Sequence, residues 1–539
     1  MIRIWGLALV AAVALLGCRK TGGEAVQSAA RKDPNPKIFY RNLTEPEFLD
    51  PGLCAESQGG MIVQDTFEGL YVYGPDHQTW VPGLALRHEV SPDGLTWTFY
   101  LRQSTWSDGT PLTAHDFVWS WKRALDPATG GRYASVLWFI EGAKAYNQSS
   151  EADRGRLRDA VGVHAVDAHT LQVRLRAPTP FFKQLTAFYT YSPVPRHVLE
   201  KHGDRWARPE HIVSNGPWRL AEWAGQQHII LKQNPRYHSP AAVPFEKVVY
   251  RITQDSEPAH RMYLSGDLDF LDASVPTSVL PRYRREKFGE LRTSPYLGVY
   301  YYDFNVQRAP FDDPRVRQAL GMAINKEIIG KFVVKGGQLA APSLVPPGLA
   351  DLGYPRQPGA EYDPDRARAL LAEAGFAKGV GFPRFRISYN TSEGHRLIAE
   401  FVQQAWKKEL GITCDLENME WKVLLKRQSV RDFDVTRSAW IGDYLDANTF
   451  LELFESSNPN NHTGWLSPEY DALLGQVAVA RTQPERQRLL AAAEQVFLRE
   501  LPGIPLYYYV RHDLVKPWVQ GYRPHLQGVH LTRWFEVAL

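Results

Sequence analysis

The sequence predicts a mixed α/β fold built from about three domains, and three observations predict it. The chain is 539 residues long, and domains run to roughly 100–200 residues each. Its hydrophobic residues, 44% of the total against 22% charged, are enough for sizeable cores. Period-two and period-3.6 apolar patterns alternate irregularly along it, as in layered folds that mix sheets with helices.

The first eighteen residues stand outside that fold. "MIRIWGLALVAAVALLGC" carries Arg3, an apolar run to Leu16, then Gly17 and Cys18. This is a signal peptide, too short for a comfortable membrane span. "LLGC" is similar to the lipobox of bacterial lipoproteins, which implies cleavage before Cys18 and acylation of that cysteine. Two or more acyl chains anchor stably where one does not. Residues 19–36, "RKTGGEAVQSAARKDPNP", are small, polar and proline-terminated, so a flexible tether is expected. Export places the rest in an oxidising compartment. Only Cys54 and Cys414 remain there, 360 positions apart, and both are expected to be unpaired.

Along the mature chain, "LTWTFYLR" (95–102) alternates Trp97, Phe99 and Leu101 with polar residues and predicts a strand. After a turn at Asp108-Gly109, "TAHDFVWSWKRAL" opens on Thr113 with Asp116 three residues on, close to a capping box. Phe117, Trp121 and Leu125 then share one helix face. "TLQVRLRAP" (170–178) alternates again. "DDPRVRQALGMAINKEIIGKFV" offers Asp313 as cap, Pro314 at the first helical position, and Val316, Leu320 and Ile324 on one stripe. "DPDRARALLAEAGF" repeats the Asp-Pro start and stops at Gly375. A helix bearing Ile398, Val402 and Trp406 ends at Gly411, "CDLENMEW" predicts a strand leading to Trp421, and "GIPLYYYVRHDLV" is a long β-prone run. No internal repeat or low-complexity tract follows residue 36.

Net charge is +3, too small to make a polyanion the default partner, so no nucleic acid is expected. There is no G-x-S-x-G, H-E-x-x-H, P-loop or G-x-G-x-x-G. None of the 16 histidines falls in a ligand cluster. No metal, cofactor or catalytic residue is expected, and the chain reads as a non-enzyme. The aromatic surplus of 16 Trp, 25 Tyr and 24 Phe suits binding surfaces as well as cores.

The stretch "GLALRHEVSPDGLTWTFYLRQSTWSDGTPLTAHDFVWSWKRALDP" (83–127) resembles the signature region of the peptide-binding proteins of ABC importers, the dipeptide/oligopeptide solute-binding family. The resemblance continues through "SNGPWRL" (214–220), "YYYDFNVQRAPFDDPRVRQALGMAINKE" (300–327) and "YNTSEGH" (389–395), and covers essentially all of 37–539. It implies a fold of the periplasmic-binding-protein type, with two hinged lobes, a small extra domain, and mixed sheets with flanking helices. On that pattern, lobe I comprises 37–70, 192–298 and 513–539, the small domain 71–191, and lobe III 299–512. The resemblance further implies a monomeric receptor at the cell envelope, lipid-anchored through Cys18, that gives short peptides to an ABC permease. A murein-peptide binder of the same family, a secreted enzyme on this fold and a chemosensory receptor are the alternatives.

The family's "R-x-x-W-x-x-D-Y" motif is intact in "RSAWIGDY" (437–444). The resemblance assigns Asp443 to the peptide α-ammonium and Arg437 to the carboxylate of a short ligand. Lys335 and His395 match positions that serve longer peptides, and Glu56, Tyr133, Trp421 and Trp440 match ligand-lining positions. By residue type alone Asp443 is a turn aspartate, Trp440 core, His395 a helix-start histidine and Lys335 an exposed loop lysine. The tyrosine runs 300–302 and 507–509 read as strand core and sheet face. The family's oligopeptide binder has a disulfide with one cysteine inside this motif. Ile441 stands there, opposite the "YLGVYYY" region with Gly298, so that bridge is expected to be absent.

Overall fold

The computed structural model describes residues 27–539 apart from 77, 360, 459 and 481; Cys18 and the start of the tether lie outside them. An eleven-stranded sheet runs through the molecule. Its order is Trp218–Ala224, His228–Gln233, Lys247–Ile252, Ile38–Leu43, Phe270–Leu271, Gly503–Val515, Leu291–Phe304, Val435–Ile441, Phe385–Asn390 and Cys414–Met419, with Leu339–Ala340 paired to Gly503–Val515 off that path.

Two of these strands, Leu291–Phe304 and Gly503–Val515, have 14 and 13 residues, where about five or six is usual. Leu291–Pro295 pairs with Val510–Leu514, the register shifts between Pro295 and Val299, and Val299–Asp303 then pairs with Gly503–Tyr508. Such an irregularity bends a strand. On one side of it the sheet continues through Phe270–Leu271 to the N-terminal strands; on the other it continues into Val435–Ile441 and its neighbours. Two lobes are thus halves of one sheet, joined by an irregular two-stranded bridge of the kind that can hinge. Buried charges brace it. Asp272 pairs with Arg41 and Arg511, and Arg511 Nε reaches Asp513 at 3.0 Å.

The small domain is a four-stranded antiparallel sheet, Ala85–Val90, Thr96–Leu101, Thr170–Arg174 and Val163–Asp167 in that order. Trp97, Phe99 and Leu101 point into its core, as their alternation predicts. Helix Ala114–Leu125 has the predicted capping box, with the Asp116 carboxylate accepting the Thr113 N–H at 2.7 Å. It buries Phe117, Trp121 and Leu125. The helices Pro314–Met322, Pro364–Glu373 and Glu393–Leu410 also start or stop where their cap residues predict.

Three readings need comment. The stripe Val316–Leu320–Ile324 predicts one helix, but the helix ends at Met322, whose carbonyl accepts the Asp363 N–H at 3.0 Å. Ile324 is still core; the chain resumes as Lys326–Ile328 and a π turn, Ile329–Val334. The second is a correction: residues 28–35 are not a free tether. Ala29 and Lys32 donate backbone N–H groups to Leu264 and Gly266, and Arg31 clasps Asp269 at 2.6 Å, with side-chain exposures of 4% and 1%. Polar composition suggested mobility, but a buried guanidinium–carboxylate pair and two backbone hydrogen bonds tie the segment to lobe I. Third, Cys54 and Cys414 are buried free thiols. Burial pushes both up to about 12, which leaves them inert.

Candidate functional site

Arg437 sits on strand Val435–Ile441, directly across from Tyr302 of the bridging strand. Its guanidinium lies 5.0 Å from the Tyr300 ring and 5.9 Å from that of Trp421. Its Nη1 and Nη2 donate weakly to Asn390 Oδ1 (3.4 Å) and Tyr509 Oη (3.5 Å), and its buried Nε has no hydrogen-bond partner. Among the described residues no carboxylate pairs with it. Arginine stays charged, and a buried unpaired charge is costly. Cation–π contacts offset part of that cost; a carboxylate taking two N–H groups side by side would offset far more.

His395 lies beside this cation, in the first turn of Glu393–Leu410, with Nδ1 3.2 Å from Tyr300 Oη. Burial, and then the Arg437 charge, lower its pKa to about 4, so it is a neutral imidazole near pH 7. Trp421 opens helix Trp421–Ser429 and is 44% exposed, leaving ring surface available next to the guanidinium.

Asp443 occupies the turn that follows the strand. Three separate elements fix its backbone. Gly442 N–H donates to Leu297 O (2.8 Å), Asp443 N–H donates to Thr449 Oγ1 (3.2 Å), and Gln527 Nε2 donates to the carbonyls of Gly442 (3.3 Å) and Asp443 (2.9 Å). Its carboxylate accepts only a long bond, 3.4 Å, from the Tyr133 hydroxyl of the small domain. No cation among the described residues pairs with it. Burial raises its pKa from 3.8 to about 6, opposed only by the Tyr133 hydrogen bond. A ligand cation about 4 Å away would gain up to about 4 kcal/mol at an effective dielectric near 20, and folding has already removed much of the carboxylate's water.

The sequence-predicted residues therefore divide. Arg437, His395 and Trp421 form one group, and Asp443 and Tyr133 another. Trp440 stands behind the second, its Nε1 3.4 Å from the same Thr449 hydroxyl that accepts the Asp443 N–H. Lys335 lies in an exposed loop with φ 55°, and its carbonyl accepts from Arg284 at 2.8 Å. The Glu56 carboxylate serves as the cap of helix Ser57–Thr66, accepting from Gly59 N–H at 2.9 Å and Glu47 N–H at 3.0 Å. Sequence reasoning missed Tyr300, Tyr509, Asn390, Thr449 and Gln527. The tyrosines were readable as alternating strand positions, but nothing local ties Gln527 to a turn 84 positions away.

Contacts between the small domain and lobe III surround the Asp443 turn. Phe181 stacks on Tyr444 with ring centroids 4.7 Å apart and planes at 3°, and Phe139 meets Tyr444 edge-on at 5.9 Å. Arg486, paired with buried Asp446 at 2.9 Å, lies 5.0 Å from the Phe181 ring. A half-buried carboxylate and a half-buried guanidinium, neither with a charged partner among the described residues, thus stand on one strand and the turn that follows it. Residues 79–462 match the family described as bacterial extracellular solute-binding proteins, family 5, middle portion. The chain belongs to this family.

Its relatives include the oligopeptide-binding protein OppA of Bacillus subtilis, 36% identical over 522 residues that cover 94% of this chain and 93% of the relative. The periplasmic murein peptide-binding protein MppA of Escherichia coli is 35% identical and covers 89% and 88%. Among solved structures, Haemophilus influenzae OppA in complex with RPPGFSPFR superposes with a TM-score of 0.77 at 30% identity, over 95% of this chain and all of that one. The periplasmic-binding-protein fold expected from the motifs is therefore the fold observed. Gly298 and Ile441 stand directly opposite each other in the ladder, so no disulfide can form at that point.

Proposed function

We propose that this chain is an extracytoplasmic receptor that binds short peptides largely independently of side-chain sequence and hands them to an ABC permease, acting as a monomer anchored through acylated Cys18. Asp443 takes the α-ammonium, with Tyr133 bridging from the small domain. Arg437 takes the carboxylate of a short ligand, with His395 and Trp421 beside it, while Lys335 serves longer ligands. The observation that carries this reading is the pair of half-buried opposite charges, without charged partners among the described residues, on one strand and its following turn. Four strand steps of about 3.3 Å separate Arg437 from Ile441, a span suited to an extended chain of a few residues. The charged ends and the main chain are common to every peptide, so recognition through them leaves side chains free to vary, and waters in roomy pockets can adapt to each. No covalent step is needed; binding favours the closed arrangement that the permease reads.

Calorimetry on ligand-free protein tests this. Free tri- and tetrapeptides bind wild type, their N-acetylated forms bind poorly, and Asp443→Ala loses most affinity for the free forms. Equal affinity for both forms would remove the ammonium assignment. Because the murein-peptide relative is nearly as similar as the oligopeptide relative, at 35% against 36% identity, the panel includes peptides with D-residues. Tight binding confined to those would reassign the ligand.

A further inference from the structure

The docked segment at the N-terminus determines which side of the molecule an anchor can hold. Its first described contact is Ser28, whose hydroxyl donates to Glu290 at 2.5 Å. Ala29 and Lys32 then follow the Leu264–Gly266 backbone, and Arg31 is locked onto Asp269. Only nine residues, 19–27, separate Ser28 from Cys18, and nine residues span at most roughly 30 Å. Ser28 lies against Glu290, so that is the end of lobe I a lipid on Cys18 would draw toward a bilayer.

That end is basic. Residues 281–292, "PRYRREKFGELR", hold five basic side chains and two acidic ones. They form helix Leu280–Arg285 and the turn that returns the chain to Glu290. Tyr283 anchors this helix in a small core with Tyr263, Leu268 and Leu514, so its arginines are carried on a fixed scaffold. Arg282, Arg285 and Lys287 are exposed; Arg285 has 72% of its side chain in solvent. The acidic groups are already engaged: Glu286 by Arg282 at 2.9 Å, and Glu290 by Ser28 and by the Tyr263 hydroxyl at 2.7 Å.

We infer that the Arg282–Lys287 face of lobe I docks against an anionic bilayer surface, so that lipid anchor and basic face together orient the receptor. This rests on the reading that the protein is exported and held through Cys18. A basic side chain near an anionic surface adds about fivefold to binding, and the effect falls off within a Debye length of about 10 Å at 0.1 M salt. The pinned segment is what keeps the face within reach, since a free 18-residue tether would let the protein turn in any direction.

The test uses the chain from Arg19 onward, which contains every described element and no lipid. It is sedimented with vesicles of phosphatidylcholine alone and with vesicles containing phosphatidylglycerol, at low and at physiological salt. The expected result is salt-sensitive binding to the anionic vesicles only. The variant Arg282→Gln/Arg285→Gln/Lys287→Asn should reduce it on the order of a hundredfold, with melting and peptide affinity unchanged. A triple Gln variant at Arg366, Arg384 and Arg386 on lobe III should keep it. Binding to neutral vesicles, or equal loss in both triple variants, overturns the inference. Acylation is read separately from the intact mass of protein extracted from membranes. An acylated protein whose lipid-free form ignores anionic vesicles refutes this surface and leaves the anchor standing.

Discussion

Replacing Asp443 by asparagine should abolish its proposed function and stabilise the empty protein. A carboxyl whose pKa rises from 3.8 to about 6 on folding weighs against the folded state by about 3 kcal/mol once pH exceeds both values. Because the folded-state value is the raised one, this destabilisation is absent below about pH 4 and complete above about pH 6. The asparagine side chain has nearly the same shape and can still meet the Tyr133 hydroxyl, but carries no charge to desolvate. The assay is thermal melting of protein freed of ligand by unfolding and refolding, at pH 4 and pH 7.5. Asp443→Asn should melt higher than wild type at pH 7.5, and the gain should shrink to nearly nothing at pH 4. The same titration governs binding with the opposite consequence. A ligand ammonium prefers the ionised carboxyl, so wild-type affinity is full above about pH 6 and falls by up to tenfold per pH unit below it, and Asp443→Asn loses that slope. If the variant melts no higher than wild type at pH 7.5, the carboxylate is already compensated in the empty protein and the electrostatic account of the site fails.

Three further outcomes follow from the same geometry. Arg437→Met should cost roughly 10- to 100-fold in affinity for short free-acid peptides, since a hydrogen bond to a charged group contributes about 1.5–3 kcal/mol. Their C-terminal amides should lose little further, and calorimetry with both forms checks this. Gln527→Leu should weaken free peptides but spare N-acetylated ones, because Gln527 acts only by aiming the Asp443 turn; equal weakening of both would mark it as a general structural residue. Arg31→Ala leaves the Asp269 carboxylate buried without its partner, which costs about 3–5 kcal/mol. Limited proteolysis should then cut within residues 28–36, where wild type resists.

Much of the scaffold was legible because it is written locally. Trp97, Phe99 and Leu101 alternate, Thr113 and Asp116 cap, and Asp313-Pro314 starts a helix, each within one or two turns of chain. Asp443 and Arg437 stood out as candidates for another reason, the spacing of a family motif, since their residue types alone fit an ordinary strand and turn. What stayed hidden depends on distant partners. Tyr300 and Tyr509 frame Arg437 only because two long strands run side by side, and Gln527 reaches Asp443 only because the C-terminal segment folds back on lobe III. Glu56 and Arg31 are the opposite lesson. A glutamate in a lining position is bound up in capping Ser57–Thr66, and an arginine in a polar run is buried. In both cases a few specific hydrogen bonds outweigh what composition suggests.

The bridging strand Gly503–Val515 also bears on how the protein is made. It lies between Phe270–Leu271 and Leu291–Phe304 in the sheet, so the two halves have no common seam until a segment near the end of the chain arrives. A polypeptide emerging from a translocation pore can therefore complete neither half-sheet's inner border until almost all of it has crossed. Until then it carries two bare strand edges, the kind that invite pairing with other chains. Secretion of this receptor should accordingly depend on helpers that shield nascent edges, and chains cut short before residue 503 should aggregate instead of persisting as separate lobes.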